Sequence, residues 1–352
     1  MLRKLGTLTL LSLAAAGWAI AAGGDSTVKI MTQNMDAGTD QSYIVAASLG
    51  EMSLGDAVDL TYAELQASHL DKRAGLLADQ IAEQKPDILA LEEVTLWRTG
   101  PTINTAVIPV YDQLATLLLQ LLARGAFYDV VTINTVDDVA LPGSKVPALR
   151  FTDRNVLLVR AELLRPALHL SNVQSHVFQA VLPFAGLQIH SGWISADVYM
   201  GNKQFHLIAT HLESTVPGVP AATDVQIAQT KELLQALPAG VPTVICGDFN
   251  SDANDNPIVE DYTPSADMIR QAGFSDVWRV MHGGDPGNTW PLYLEDQYPI
   301  AFPPQTPFER IDLIFSQGML IQKEEQVLAP GAKGFTPPFG SDHAGVIATL
   351  GM

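Results

Sequence analysis

Residues 241–250 read Val-Pro-Thr-Val-Ile-Cys-Gly-Asp-Phe-Asn. An apolar, uncharged run this short is a buried strand rather than a helix. It breaks at Gly247, and Asp248 and Asn250 follow at once. The same unit recurs along the chain. Val28 to Thr32 leads into Asn34, and Ile88 to Leu91 ends at Glu92 and Glu93. Phe205 to Ala209 ends at Thr210 and His211, Ile311 to Phe315 encloses Asp312, and Gly345 to Leu350 follows Ser341, Asp342 and His343. Short apolar runs without alternation are the mark of strands covered on both faces.

Helical patterns lie between them. Leu70, Ala74, Leu77, Ala78 and Ile81 share one face at helical spacing, with Asp71 as the expected N-cap. Tyr111, Leu114, Leu118 and Leu121 form a second stripe that stops near Gly125. A third helix, capped by Thr223, carries Ile227, Leu234 and Leu237 and ends before Pro238. Strands alternating with helices predict an α/β fold. Loops are expected at Pro142–Pro147, Pro217–Pro220, Asp252–Pro264 and Pro303–Pro307. None is long or polar enough for a linker, so residues 28–350 read as one domain.

The N-terminus reads as a secretory leader over residues 1–22. Arg3 and Lys4 precede an apolar run from Leu8 to Gly17, and Ala19-Ile20-Ala21 supplies a small-x-small cleavage pattern. Gly6, Thr7, Thr9 and Ser12 dilute a stretch already near the lower limit of roughly 17 apolar residues for a membrane span. The expectation is cleavage near Ala21 and a secreted or periplasmic mature protein with no transmembrane segment. The mature chain keeps 18 basic residues against 38 acids, a net charge of −20 where the full chain has −18. Tight non-specific binding of nucleic acid is therefore disfavoured. The single cysteine, Cys246, sits in an apolar run, reads as core, and excludes both an internal disulfide and a Cys-rich zinc site.

The polar residues at the strand ends are the candidates for chemistry, because ligands of open α/β sheets bind where strands stop. Asn34, Glu93, Asp248, Asn250, Asp312, Asp342 and His343 offer oxygen and imidazole donors without a thiolate. That set suits Mg²⁺, with Mn²⁺ or Ca²⁺ as alternatives, better than zinc.

Taken together, Thr32-Gln33-Asn34, Leu91-Glu92-Glu93-Val94, Thr210-His211-Leu212, Gly247-Asp248-Phe249-Asn250, Arg310-Ile311-Asp312 and Ser341-Asp342-His343 resemble the endonuclease/exonuclease/phosphatase superfamily. Its members include deoxyribonuclease I, abasic-site endonucleases, inositol-polyphosphate 5-phosphatases and bacterial sphingomyelinases. The resemblance runs from Lys29 to about Leu350 in the family's order. It implies a four-layer α/β/β/α sandwich, two mixed β-sheets packed face to face with helices outside, and metal-assisted hydrolysis of phosphoesters.

Roles follow residue by residue. A buried Glu93 at a strand end is best explained as a metal ligand. Asn34 would hold a phosphate oxygen or orient a ligand to the metal. Asp248 would align or deprotonate the attacking water, and Asn250 would donate to a phosphoryl oxygen, although an Asx-turn also accounts for this pair. Asp312 and His343 are the expected acid–imidazole pair, the carboxylate fixing the tautomer. His211 matches the position that faces the leaving group in deoxyribonuclease-like members. Asp342 would ligand a metal or support His343. Arg154 and Arg98 are candidate phosphate ligands, and Arg310 a supporting residue. Two departures stand out: Glu92 occupies a position where the family usually has Gln, and Asp36 matches an acid found in only part of it.

The expected partner is a substrate: a phosphorylated small molecule, a phospholipid head group or a nucleic acid. No stable protein partner is implied. A phosphodiesterase or phosphatase leads; an extracellular endonuclease and a sphingomyelinase-like lipid hydrolase are the alternatives. Lipid hydrolysis would use an aromatic segment such as Trp290 to Phe302, with Tyr293 and Tyr298. A non-catalytic binding protein is least favoured, since every position for chemistry is occupied.

Overall fold

In the computed structural model the described residues are 27–161, 168–184, 187–215, 220–254, 262–292, 307–328 and 339–352. The expected leader, residues 1–22, and Tyr293, Tyr298 and Phe302 lie outside them. The first half of the chain contains β1 (Thr27–Asn34), α1 (Ser42–Ser48), α2 (Leu54–Ala67), α3 (Leu70–Gln84), β2 (Ile88–Glu92), β3 (Leu96–Gly100), β4 (Ile108–Asp112), α4 (Gln113–Ala123), β5 (Tyr128–Leu141) and β6 (Ala148–Arg160). The second half adds β7 (Leu168–Val177), β8 (Leu182–Phe184), β9 (Leu187–Ile189), β10 (Gly192–Met200), β11 (Lys203–His211), α5 (Pro220–Gln235), β12 (Thr243–Asp248) and α6 (Ser265–Gln271). It ends with β13 (Ser275–Asp276), α7 (Val277–His282), β14 (Asp312–Gln317), β15 (Leu320–Leu328) and β16 (Gly345–Gly351).

These strands form two mixed sheets. The eight-stranded sheet has the order β15-β16-β1-β2-β6-β3-β4, with β5 on the free side of β6. The six-stranded sheet has the order β13-β14-β12-β11-β10-β7. Parallel pairing joins β1 to β2 and β11 to β12; the other pairs are antiparallel. One apolar cluster fills the space between the sheets, from Val28, Ile30, Ile88 and Ala90 across to Leu207, Ala209, Val244, Cys246 and Ile314. A second cluster joins the larger sheet to α3 and α4 through Met31, Leu77, Ile81, Leu89, Leu91 and Leu117. A third covers the outer face of the smaller sheet with Leu233, Ala266 and Ile269 from α5 and α6. Helix, sheet, sheet, helix is the layering the resemblance implies. Each fully buried aliphatic side chain in it stabilises by about 1.5–3 kcal/mol.

This parity positions the polar residues. Side chains alternate across a strand, so Val28 and Ile30 between the sheets are followed on that face by Thr32 and Asn34. Ile88 and Ala90 are followed by Glu92, Leu207 and Ala209 by His211, and Val244 and Cys246 by Asp248; Ile314 shares its face with Asp312. The inter-sheet core therefore runs into a polar layer at one rim.

The helices start differently from expectation. Asp71 lies in the first turn of α3, and His69, in the left-handed region, is the N-cap. The second stripe begins as strand: Tyr111 belongs to β4, Asp112 accepts a hydrogen bond from the Ala115 amide, and α4 buries Leu114, Leu117 and Leu121. Thr223 lies inside α5 rather than at its cap. Among the described residues, no helix is long and apolar enough to cross a membrane.

Candidate active site

Register brings the strand ends together. Asn34 stands opposite Glu92, and His211, Asp248 and Asp312 form one row across the smaller sheet. Gly247 (φ 145°) permits this row: a Cβ there would lie 1.8 Å from the Thr210 carbonyl oxygen. No other residue fits between the strands.

Glu93 breaks the alternation. A regular strand would turn it away from Glu92, toward α3 and α4, but its φ of 52° is left-handed and swings the side chain back to the rim. Such a conformation costs about 1 kcal/mol for a non-glycine residue, so its neighbours must hold it. The Asn34 Nδ2 donates to Glu93 Oε1 at 2.9 Å and the Ala37 amide to Oε2 at 2.7 Å. The next amide, of Val94, bonds the Arg154 carbonyl at 2.9 Å.

Asn34 is a bridge. Its Nδ2 also donates to Asp248 Oδ2 at 3.0 Å, while its Oδ1 accepts the Asp36 amide at 2.9 Å. That amide fixes the carboxamide orientation and points its oxygen away from the carboxylates. In this arrangement the Asn34 NH₂ faces the carboxylates, and its oxygen is held by the Asp36 amide.

Asp248 accepts the Asn250 amide on Oδ1 at 2.9 Å, so the Asx-turn is present. The turn, with Asn250 at φ 46°, still directs the Asn250 carboxamide to the Leu212 carbonyl at 2.9 Å and to within 3.2 Å of His211 Nε2. His211 Nε2 lies 3.7 Å from Asp248 and 4.0 Å from Glu93. On the other side, His343 Nδ1 lies 2.9 Å from Asp312 Oδ2 and 3.8 Å from Asp248 Oδ2. Ser341 ties this end to β1: its hydroxyl donates to the Asn34 carbonyl and accepts the His343 amide. Asp342 accepts from the Trp290 indole at 3.2 Å and lies 3.9 Å from His343 Nε2.

Two overlapping trios result, Glu93–His211–Asp248 and Asp248–Asp312–His343, each with one donor atom per residue within 4.8 Å of the others. Among the described residues, no lysine or arginine pairs with Glu93, Asp248 or Asp312. Asp312 Oδ1 is buried with no hydrogen-bond partner. Burial pushes the Asp248 carboxyl up against the pull of His343, with Asp312 adding to the rise. It pushes Glu92, which accepts from Thr32, to about 8. Asp342 rises to about 8 through burial and the nearby Asp36 and Glu93. Burial opposes charge on His343, yet Asp312, Asp342 and Asp248 raise it well above the ordinary imidazole range. His211 is raised likewise, by Asp248 and Glu93 against burial. Hard oxygen donors, an orphaned carboxylate oxygen and uncompensated buried charge are what a divalent cation would satisfy.

The arginines lie elsewhere. Arg154 is buried and bonds the Val94 and Thr95 carbonyls at 2.7 and 3.2 Å and Asp112 at 2.7 Å. Arg154, expected from the sequence to be a phosphate ligand, is so engaged that it braces the loop that carries Glu93. Arg98 pairs with Asp138, and Arg310 with Asp276.

Several participants carry little signal in the sequence. Arg73 in α3 pairs with Asp36 at 3.1 Å and bonds the Met35 and Gly340 carbonyls, tying the loop after β1 to the loop before His343. Its one signal is a charge on the apolar face of a helix. Trp97 and Gln113 fasten the same loop at Ala37 and Asp36. Asp137, Asp153, His190 and Glu213 line the rim beyond His211 without any shared motif.

Comparison with known proteins adds the family. No curated protein matches the chain. Solved structures share the fold at low identity. An endonuclease/exonuclease/phosphatase from Beutenbergia cavernae is 21% identical over 93% of this chain and 72% of that one, with a TM-score of 0.59. A family protein from Leptotrichia buccalis is 17% identical over 92% and 100%, with a TM-score of 0.57. Truncated TDP2 from Caenorhabditis elegans is 17% identical over 93% and 98%, with a TM-score of 0.52. A family model described as the Endonuclease/Exonuclease/phosphatase family matches residues 31–343. With the motifs, the sandwich and the rim in agreement, the chain belongs to the endonuclease/exonuclease/phosphatase family.

Proposed function

We propose that the protein is an exported, Mg²⁺-dependent hydrolase of small phosphoesters, with water attacking phosphorus. The observation that carries this reading is the pair of trios sharing Asp248, with Asp248 and Asp312 buried and no lysine or arginine paired with their carboxylates among the described residues. Glu93, with Asp248 across the cleft, would hold the ion. Bound there, it supplies a Lewis acid for the phosphoryl oxygens and the leaving oxygen.

The chain's own groups do the rest. Asp248, its carboxyl raised by burial, orients the water and takes its proton. Asp312 on Nδ1 orients the His343 ring and favours its charged form, so that Nε2–H is directed to a phosphoryl oxygen. Asn250 donates from the other side. His211, raised by Asp248 and Glu93, gives a proton to the leaving alkoxide.

A small ester is favoured over nucleic acid because Arg73, Arg98, Arg154 and Arg310 are all engaged with carboxylates. A groove for a polyanion needs cations aimed at its backbone. In the same reading residues 1–22 are a secretory leader and the activity lies outside the cytoplasm. Purified protein assayed on bis-p-nitrophenyl phosphate, p-nitrophenyl phosphate, plasmid DNA, RNA and sphingomyelin tests it. The expected result is hydrolysis of a small ester, abolished by chelator and restored by Mg²⁺. Activity indifferent to chelator, or confined to DNA or RNA, would overturn it.

A further inference from the structure

Beyond His211 the rim carries a second acid–imidazole pair that the proposed chemistry does not use. His190 Nδ1 lies 2.8 Å from Asp137 Oδ1, and the His190 amide donates to Asp137 Oδ2 at 2.9 Å. The ring is thus held both at its own nitrogen and through its backbone. Asp137 belongs to β5 of the larger sheet, and His190 precedes β10 of the smaller one. The pair therefore spans the gap between the sheets.

Register places it next to the reacting centre. Gly192, two residues after His190, stands opposite His211, and Asp137 stands opposite Asp153. The Asn155 carboxamide ties the sheets here by donating to the Gly192 carbonyl at 3.1 Å. Asp153 lies electrostatically between the two centres: burial raises its carboxyl to about 6, His211 opposes the rise, and Glu93 and Asp137 add to it. Its Oδ1 is buried with no hydrogen-bond partner. Glu213, pushed to about 7 by burial, responds to both His211 and Asp137.

The pair is built and open. The Asp137 side chain is 10% exposed, the His190 ring 29%. With Nδ1 on Asp137, the free nitrogen is Nε2, and among the described residues nothing bonds it.

We propose that His190, held by Asp137, is a specificity-determining residue that hydrogen-bonds a hydroxyl-bearing leaving group, of glycerol or sugar-alcohol type. This rests on the hydrolase reading above, in which His211 faces the leaving oxygen. The wall offers the His190 imidazole together with the acceptor oxygens of Asp153 and Glu213, partners that suit a hydroxyl. Its carboxyls repel a second phosphate, which sets this wall against a polyphosphate or a nucleic-acid strand.

The test measures kcat and KM with Mg²⁺ on glycerophosphoglycerol, glycerophosphoethanolamine and bis-p-nitrophenyl phosphate, for wild type, His190→Ala, His190→Gln and Asp137→Asn. One hydrogen bond lost is about tenfold in kcat/KM. His190→Ala should lose about tenfold more on glycerophosphoglycerol than on bis-p-nitrophenyl phosphate, chiefly through KM. His190→Gln, which keeps a donor and an acceptor, should recover part of that difference, and Asp137→Asn should show a smaller loss of the same kind. Equal losses on both substrates, or none, would overturn the proposal. A loss confined to glycerophosphoethanolamine would make the wall a cation site and overturn the hydroxyl assignment. Wild type that cleaves only bis-p-nitrophenyl phosphate overturns this inference and leaves the hydrolase reading standing; wild type that cleaves neither these three nor p-nitrophenyl phosphate overturns both.

Discussion

The His343 Nδ1 lies 2.9 Å from Asp312 Oδ2, although 31 residues separate them in the chain. Asp312 sits in the smaller sheet, opposite Asp248, and His343 precedes the last strand of the larger one. The dyad thus forms only when the two sheets are packed. If it works as a unit, Asp312→Asn costs rate by removing the charge that holds the ring protonated and oriented. The double variant Asp312→Asn/His343→Ala should then be little slower than His343→Ala alone. Losses that multiply, with a raised Mg²⁺ requirement in Asp312→Asn, would make Asp312 an independent metal ligand.

Glu93→Gln should weaken metal binding by about tenfold or more, because a neutral amide replaces a charged hard ligand. Calorimetric titration with Mg²⁺ reads this directly. High Mg²⁺ should restore part of the lost rate. Wild-type affinity in the variant would remove Glu93 from the ion.

Asp248→Asn and His343→Ala should each lower kcat by roughly 100-fold or more, the usual effect of losing a proton-transfer or charged group at the reacting centre. Thermal unfolding of both should stay cooperative. A variant with normal turnover would move the chemistry elsewhere.

Without metal, the Glu92 and Asp342 carboxyls, each near 8 in the fold, hold protons that they lose near 4 when unfolded. The folded state then binds more protons between these values, so stability falls as pH rises from about 4 to about 8. A cation takes over from those protons. In chelator the melting temperature should drop across that window, and the increase produced by Mg²⁺ should be larger at pH 8 than at pH 5. Equal Mg²⁺ effects at both pH values would contradict the assignment of the acids to the ion's surroundings.

Arg154→Ala should destabilise by about 2 kcal/mol or more, since it strips the Val94 and Thr95 carbonyls of a buried charged donor. It should also raise the Mg²⁺ requirement, because the loop that turns Glu93 inward loses its brace. Circular dichroism melts and Mg²⁺-dependent rates check both. A change in KM for substrate alone, with stability and metal dependence intact, would return Arg154 to the phosphate.

The sequence by itself determined the strands and their endings. Val28–Thr32, Ile88–Leu91, Phe205–Ala209 and Val241–Cys246 are apolar because both faces are covered, and period-two alternation then decides which terminal side chain continues the inter-sheet face. Thr32, Asn34, Glu92, His211 and Asp248 follow from that rule alone. Family resemblance supplied Glu93, against the rule. Tertiary structure decided the rest, because backbone dihedrals and long-range partners leave no periodic trace. The left-handed φ of Glu93 returns it to the site. The Asp36 amide turns the Asn34 oxygen away from it. Arg154 looks like a phosphate ligand in the sequence and is a brace in the fold, since only packing shows that Val94, Thr95 and Asp112 already occupy it. His190 and Asp137, 53 residues apart, carry no motif; they meet because β5 and the turn before β10 come from different sheets and converge at one rim.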